Sequence, residues 1–240
     1  MSTPHPAPAS SPARGRGTGG LIERLVRLTP TSTLIRLTGP SLIGFTWTPG
    51  DHVRIPIGSL LVLRTYSIWD ADATAGWLEM VLFDHGTPKS VRLDWAERLQ
   101  PGQFVRIIRD PRRFAIDPGA AYHLFAGEET AAAGFGAMLR ALPPDLDARG
   151  VIQANTAADH IALPRQLQRI ERNGESAASS RQLASAVAAM DLPSRPGVAY
   201  LAGEARTIQL VRSHLMRERG WPRRSIRVKP FWTPGRRGMD

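Results

Sequence analysis

The rhythm of apolar residues changes once along this chain, near Pro111–Gly119, and that change limits the folds open to it. From Leu21 to about Ile116 the apolar residues come in short β-prone runs: Leu21–Leu28, Thr33–Leu37, Asp51–Ile57, Leu61–Trp69, Trp77–Phe83 and Gln103–Ile108. Turn chemistry separates them at Gly39-Pro40, Pro49-Gly50, Gly58-Ser59, Asp70–Gly76 and Pro101-Gly102. Six such strands, interrupted by one helix over Pro88–Leu99, predict a small antiparallel barrel. From Ala121 onward strands alternate with helices, which predicts a parallel sheet. The strands are Tyr122–Ala126, Val151–Ala154, Val198–Ala202 and Ser225–Phe231, with a weaker extended segment at Leu167–Glu171. The helices are Thr130–Leu142, Ser180–Met190 and Ala205–Arg219. The expected organisation is a tail over residues 1–20, a barrel over 21–118 and an α/β unit over 119–240.

Composition narrows the chemistry. The chain has 240 residues and no Cys, so disulfides, thiolate metal sites and cysteine-bound iron–sulfur clusters are excluded. Its six His are scattered without metal-ligand spacing, and no metal site is assigned. The tail is rich in Ser, Pro, Ala and Gly and lacks the apolar core of a secretory signal. It is expected to be disordered. Gly15-Arg16-Gly17-Thr18-Gly19-Gly20 matches G-x-G-x-x-G, but no strand precedes it and no helix follows, so it is not a dinucleotide fingerprint. No run is apolar enough to span a membrane, and the cytoplasm is the expected location. The net charge is +10, and Arg206–Asp240 holds ten Lys or Arg against two acids. Such a basic end implies an anionic partner: a nicotinamide dinucleotide phosphate, an iron chelate or nucleic acid. A solvated helix face accounts for part of it.

Four short stretches carry chemistry. In Arg64-Thr65-Tyr66-Ser67 the period of a strand puts Arg64 and Tyr66 on one face. A guanidinium suits a pyrophosphate, a phenol ring suits stacking, and the Ser67 hydroxyl suits a ring nitrogen. A solvent-facing strand would also carry such residues. In Phe83-Asp84-His85-Gly86-Thr87-Pro88 a strand ends and a helix begins, with Thr87 as N-cap and Pro88 in the first turn. Helix-start N–H groups attract phosphate, and Lys89 and Ser90 would add to this. Two further strands each end in Ala-Gly-Glu before a helix, at Ala126-Gly127-Glu128 and Ala202-Gly203-Glu204. Small residues from Ala131 to Gly136 leave room for a dinucleotide or, equally, for tight packing.

In this order the stretches resemble the siderophore-interacting protein family, flavin-dependent ferric-siderophore reductases of the ferredoxin-reductase-like group. The resemblance rests on Arg64-Thr65-Tyr66-Ser67, on His85-Gly86 with Pro88 and Trp95, and on Gly127-Glu128-Glu129-Thr130. It continues through Ala202-Gly203-Glu204-Ala205, the basic helix and Phe231-Trp232, and covers about residues 21 to 237. The chain departs from the family's usual pattern at Trp69, where an Arg is common, and at Glu128, where Asp is usual. It departs again at Ala132-Ala133 and at Arg109–Arg113.

The resemblance implies a β plus α/β architecture: a six-stranded antiparallel FAD-binding barrel, then a Rossmann-like parallel-sheet nicotinamide-binding domain. It implies an oxidoreductase passing electrons from NADPH or NADH through FAD to a ferric siderophore, with release of Fe(II). Arg64, Tyr66, Ser67, Asp84, His85, Gly86, Lys89, Ser90 and Trp95 would hold FAD, with Glu129 and Thr130 approaching from the second domain. Gly203, Glu204, Arg172 and Arg206 would receive the nicotinamide cofactor; Arg172, Arg206 and Arg212 are candidates for a 2′-phosphate, which favours NADPH. Lys229, Phe231, Trp232 and Arg236 would meet the iron chelate. Residue parity puts Lys229 and Phe231 on one face and Trp232 opposite unless the strand has ended. A monomer without nucleic acid or stable membrane association is expected. The other readings are a general NAD(P)H-dependent flavin reductase and a non-catalytic basic binding module.

Overall fold

The computed structural model describes residues 18–57, 63–83, 98–110 and 114–235. Its first sheet contains β1 (Gly19–Thr29), β2 (Ser32–Thr38), β3 (His52–Pro56), β4 (Leu63–Asp72), β5 (Trp77–Phe83), β6 (Phe104–Arg106) and β7 (Ile108–Arg109). The order is β6-β1-β2-β5-β4-β3-β7, and every pairing is antiparallel. The two outer members are consecutive in the chain, so the sheet nearly closes into a barrel. The run Gln103–Ile108, expected as one strand, is divided at Ile107. That residue is buried, and its N–H donates to Thr18 O at 2.8 Å. The chain thus leaves β1 at Arg106 and reaches β3 at Ile108. The expected helix over Pro88–Leu99 falls mostly outside the described residues.

Ile22, Ile35, Leu37, Val53, Ile55, Ile68, Leu78 and Met80 fill the barrel. Their spacing along β2, β3 and β5 is the period-two pattern that closes a barrel around one apolar face.

The second sheet is parallel throughout: β8 (His123–Glu128), β9 (Ala148–Ala154), β10 (Gln168–Glu171), β11 (Val198–Glu204) and β12 (Ile226–Trp232), in the order β10-β9-β8-β11-β12. The weak extended segment near Leu167 is therefore a true strand, at the sheet edge. Helices α1 (Ala132–Ala141), α2 (Arg181–Ala188) and α3 (Ala205–Arg217) connect the strands. Both faces of this sheet are covered. On one side Phe125, Tyr200 and Ala202 pack with Phe135 and Met138 of α1. On the other Leu124, Ala126, Ala199 and Leu201 pack under α2 and α3. Burial on both faces explains why β8 and β11 read as unbroken apolar runs. The strand order reverses between β8 and β11, and in open sheets of this kind ligands bind beyond the carboxyl ends at such a reversal.

The barrel meets the parallel sheet along a packed seam. Helix α1 lies directly on Trp69 of β4: a Cβ on Gly136 would stand 2.3 Å from an indole carbon. Arg140, one turn further, places its guanidinium 4.8 Å from the Trp69 ring and donates to Trp69 O at 3.0 Å. The Trp69 indole thus docks the two halves. A second link runs from the β1–β2 turn, where Thr31 Oγ1 donates to Asp159 Oδ1 at 2.8 Å.

Candidate functional site

β4 pairs Arg64 with Ile55 and Tyr66 with Val53. Directly opposed residues share a face, so Arg64 and Tyr66 lie on one face, as the strand period predicts. Both side chains are half-buried. Ser67 pairs with His52 on the other face and is buried at the seam. A Cβ on Gly134 of α1 would stand 3.1 Å from Ser67 Oγ, so a side chain there would press on this hydroxyl. Ser67 thus lies where the barrel strand meets the first helix of the parallel sheet, while Arg64 and Tyr66 lie on the opposite face of β4, beside Ile55 and Val53. Asp84, His85, Gly86, Lys89, Ser90, Trp95 and Arg236 lie outside the described residues.

The two Ala-Gly-Glu turns come together at the strand reversal. Gly203 has φ of +117°, and a Cβ there would stand 2.6 Å from Glu128 Oε1. Glu128 is fully buried. Its Oε2 accepts from Thr130 N at 2.8 Å, and Oε1 is bonded to Thr130 Oγ1 and to Trp232 Nε1, the latter at 2.9 Å. Burial first, and the neighbouring Glu129 charge second, push its pKa up to about 8 against the bonds from Thr130 and Trp232. Glu204 behaves oppositely. Burial opposes its ionisation, but bonds from the Thr233 hydroxyl and from backbone N–H groups at the start of α3 outweigh that and lower its pKa. The Thr207 N–H donates to it at 2.8 Å, so Glu204 is the N-cap of α3.

Two residues read as separate ligand contacts turn out to be partners. Arg172 and Glu129 form a bidentate pair, with Nη1–Oε2 at 2.5 Å and Nη2–Oε1 at 2.7 Å, and both are buried. Burial works against the charged guanidinium, yet the bonds and charge of Glu129, with Glu128 and Asp159 beyond, raise its pKa on balance. Arg206, in the first turn of α3, is exposed, while Arg212 is half-buried and donates to Gln209 Oε1 at 3.3 Å.

Lys229 is also turned inward. It is buried, with Nζ 2.6 Å from Asp110 Oδ2, and Arg54 Nη2 reaches Asp110 Oδ1 at 3.2 Å. Phe231 packs beside it on the core side, its ring 5.2 Å from that of His52. The register between β11 and β12 slips at this point: Gly203 faces Pro230 and Glu204 faces Trp232, which leaves Phe231 as the extra residue of a bulge. A bulge re-aims the side chains around it. Strand parity therefore stops applying at Trp232, whose indole reaches back to Glu128. Asp110, Thr233 and the role of Glu128 were not singled out from sequence. Two acids closing two copies of one turn were the available signal for the last.

These features define a class: a near-closed antiparallel barrel followed by a five-stranded parallel sheet, the fold shared with ferredoxin-reductase-like proteins. The flavohem-like FAD/NAD-binding domain of nitric oxide dioxygenase from Vibrio cholerae superposes with TM-score 0.68 at 16% identity, over 92% of this chain and 100% of that one. Residues 120–235 match the family model described as Siderophore-interacting protein, a match confined to the parallel-sheet half. A siderophore utilization protein from T. fusca superposes with TM-score 0.78 at 22% identity, covering 92% of this chain and 94% of that chain. An uncharacterized protein of Mycobacterium tuberculosis strain H37Rv is 33% identical over 109 residues. That match takes in 45% of this chain and only 38% of the relative's length. Among the described residues no helix is long and apolar enough to cross a membrane.

Proposed function

We propose that the protein is a flavin-dependent oxidoreductase that takes electrons from NADPH or NADH, passes them through FAD to a ferric siderophore, and so releases Fe(II). The observation that carries this reading is the meeting of β4 with α1. A half-buried guanidinium and phenol share one face of the strand, and the buried Ser67 hydroxyl, one residue past the phenol and on the other face, abuts Gly134 of α1 at the seam. That donor set fits FAD: Arg64 would hold the pyrophosphate, Tyr66 would lie against the ring system, and Ser67 would bond a ring nitrogen. Lys89, Ser90 and the turn Asp84–Gly86 belong to the same proposal for the phosphate side, with Trp95 following. When bound, the flavin would accept two electrons together and release them singly, which the side chains of this chain cannot do. Thr130 bonds Glu128 and Glu129 bonds Arg172, so these side chains at the strand reversal are already partnered within the protein. Gly203 and Glu204 border that crevice on the β11 side. Oxygen-donor chelators hold Fe(III) far better than Fe(II), so reduction loosens the cargo.

Arg64→Ala should weaken FAD binding by about 1.5–3 kcal/mol, the scale of hydrogen bonds to charged groups. Titration of FAD into both proteins, followed by flavin fluorescence, measures it. Absence of saturable binding to the unaltered chain would remove the flavin reading. With Fe(II) trapped by a ferrous-specific dye, an anionic ferric chelate should be reduced faster than an unrelated acceptor such as a quinone. Equal rates would favour a general flavin reductase.

Cofactor choice follows from which cations remain available at the crevice. Arg172 is engaged by Glu129, whereas Arg206 is exposed beside the second Ala-Gly-Glu turn. Arg206 is therefore the cation we propose for a 2′-phosphate, and NADPH should outperform NADH at low concentration. Arg206→Ala should bring the two rates together. Equal rates in the unaltered protein would contradict the assignment.

A further inference from the structure

The buried acid of the first Ala-Gly-Glu turn reaches further than a turn requires. Glu128 ends β8, and Trp232 ends β12, with β11 between them. Their side chains nevertheless meet, Trp232 Nε1 to Glu128 Oε1 at 2.9 Å, so the contact spans the end of β11. Gly203 stands at the crossing, and any side chain there would collide with the carboxyl. The bulge at Phe231 turns the indole back over the sheet rather than away from it. The next residue is fastened as well, Thr233 Oγ1 donating to Glu204 Oε1 at 2.7 Å. The two glutamates of the paired turns thus hold two successive residues across the strand reversal. Shortening residue 128 to Asp would withdraw the carboxyl by one methylene.

We propose that Glu128 is a positioning residue that fixes the Trp232 indole across the mouth of the crevice and so couples its own protonation to dinucleotide binding there. The coupling rests on the nicotinamide crevice proposed above; the positioning of Trp232 does not.

The charged groups around Glu128 define the sign. Glu129 adjoins it, Arg172 faces it from beyond β10 with Asp159 behind, and Glu204 lies across Gly203. With burial and Glu129 holding the folded-state pKa near 8, above the ordinary carboxyl value of 4.5, the acid is neutral at pH 7. Its contribution to stability is fully present below the ordinary value and is lost as the pH rises through about 8. If the crevice proposed above receives a dinucleotide, ionisation would add an anion to the floor that its phosphates meet, so affinity should fall over the same upper limb. The indole N–H favours the ionised form, so removing it should move the transition to higher pH.

The test uses the full chain and Glu128→Gln, each with its Trp232→Phe counterpart. Tryptophan fluorescence is recorded from pH 6 to 9.5, and the difference within each pair isolates Trp232. NADPH affinity is measured by calorimetry at the same pH values. The unaltered protein should show a Trp232 step near pH 8, with Kd rising across it by about fivefold, a typical strength for coupling between sites. Glu128→Gln cannot ionise and should show neither the step nor the rise in Kd between pH 6 and 9.5, although its amide keeps only one of the two acceptors. Trp232→Phe should retain the Kd step, displaced to higher pH. Identical fluorescence profiles in the unaltered and Gln proteins would overturn the positioning of Trp232. A Trp232 step without a change in Kd would overturn the coupling alone. If neither NADPH nor NADH binds at any pH, the crevice reading and the coupling fall together, while the fluorescence step still decides the positioning.

Discussion

Arg172→Leu should destabilise the protein by about 3–5 kcal/mol, the usual cost of removing one partner from a buried ion pair. The guanidinium sits just beyond β10 and forms two bonds to Glu129, which opens the short turn after β8, so the pair spans β9 at the carboxyl edge of the sheet. Only 7% of Arg172 and 8% of Glu129 is exposed, which leaves little water to rescue an orphaned carboxylate. Glu128 next to it is already forced neutral by burial and by that same Glu129 charge. Urea denaturation gives the difference, read as a shift in midpoint at constant slope. The double replacement Glu129→Leu with Arg172→Leu removes both charges and should recover part of the loss, because the penalty lies in the unpaired ion rather than in the missing contact. A single variant within about 1 kcal/mol of the parent, the range of surface pairs, would show that the bidentate geometry contributes no more than an exposed bridge. A double variant as weak as the single one would assign the cost to packing.

The sequence made the architecture readable because its signals are local. Period-two apolar runs with Gly, Pro and Asp between them marked β1 to β5, and two strands closed by Ala-Gly-Glu marked β8 and β11. The weakest expectation, Leu167–Glu171, was a real strand whose polar edge position masks its period. The divided strand at Ile107 depends on a bond to Thr18 O, a tertiary contact no local pattern reports. Charged residues were harder for the same reason. Arg172 and Glu129 are 43 residues apart in the chain and Lys229 and Asp110 are 119 apart, so each read as a cation awaiting an anionic ligand. Parity sets Trp232 opposite Lys229 and Phe231 only while the strand runs regularly, and the register shift at Phe231 interrupts that alternation. At Glu128 the sequence displayed a departure from the family, and only its burial explains why an extra methylene matters.

Lys229→Met should weaken the joint between barrel and parallel sheet rather than alter chelate recognition directly. The ammonium lies 2.6 Å from Asp110, whose side chain is wholly buried, and Arg54 approaches the same carboxylate at 3.2 Å from β3. Lys229 comes from β12 and Asp110 follows β7, so the ion pair crosses the seam that Trp69 and α1 form elsewhere. Met keeps most of the stem's volume but takes the closer of these two cations from a desolvated acid. A loss of about 3–5 kcal/mol is expected on that account. Thermal unfolding should show a lower Tm, and proteolysis should cut more readily between the two sheets. The deficit should change little with added salt, since buried pairs are poorly screened. A surface lysine that draws in an anionic ferric chelate would behave differently: Tm would hold, and KM for the chelate would rise at low salt and recover as screening removed the attraction. An unchanged Tm together with a salt-dependent KM would therefore return Lys229 to the chelate and leave Asp110 to Arg54. The expected result, a lower Tm insensitive to salt, would turn attention to exposed arginines of the second half, Arg206, Arg223 and Arg224 among them, as cations that could meet an anionic substrate.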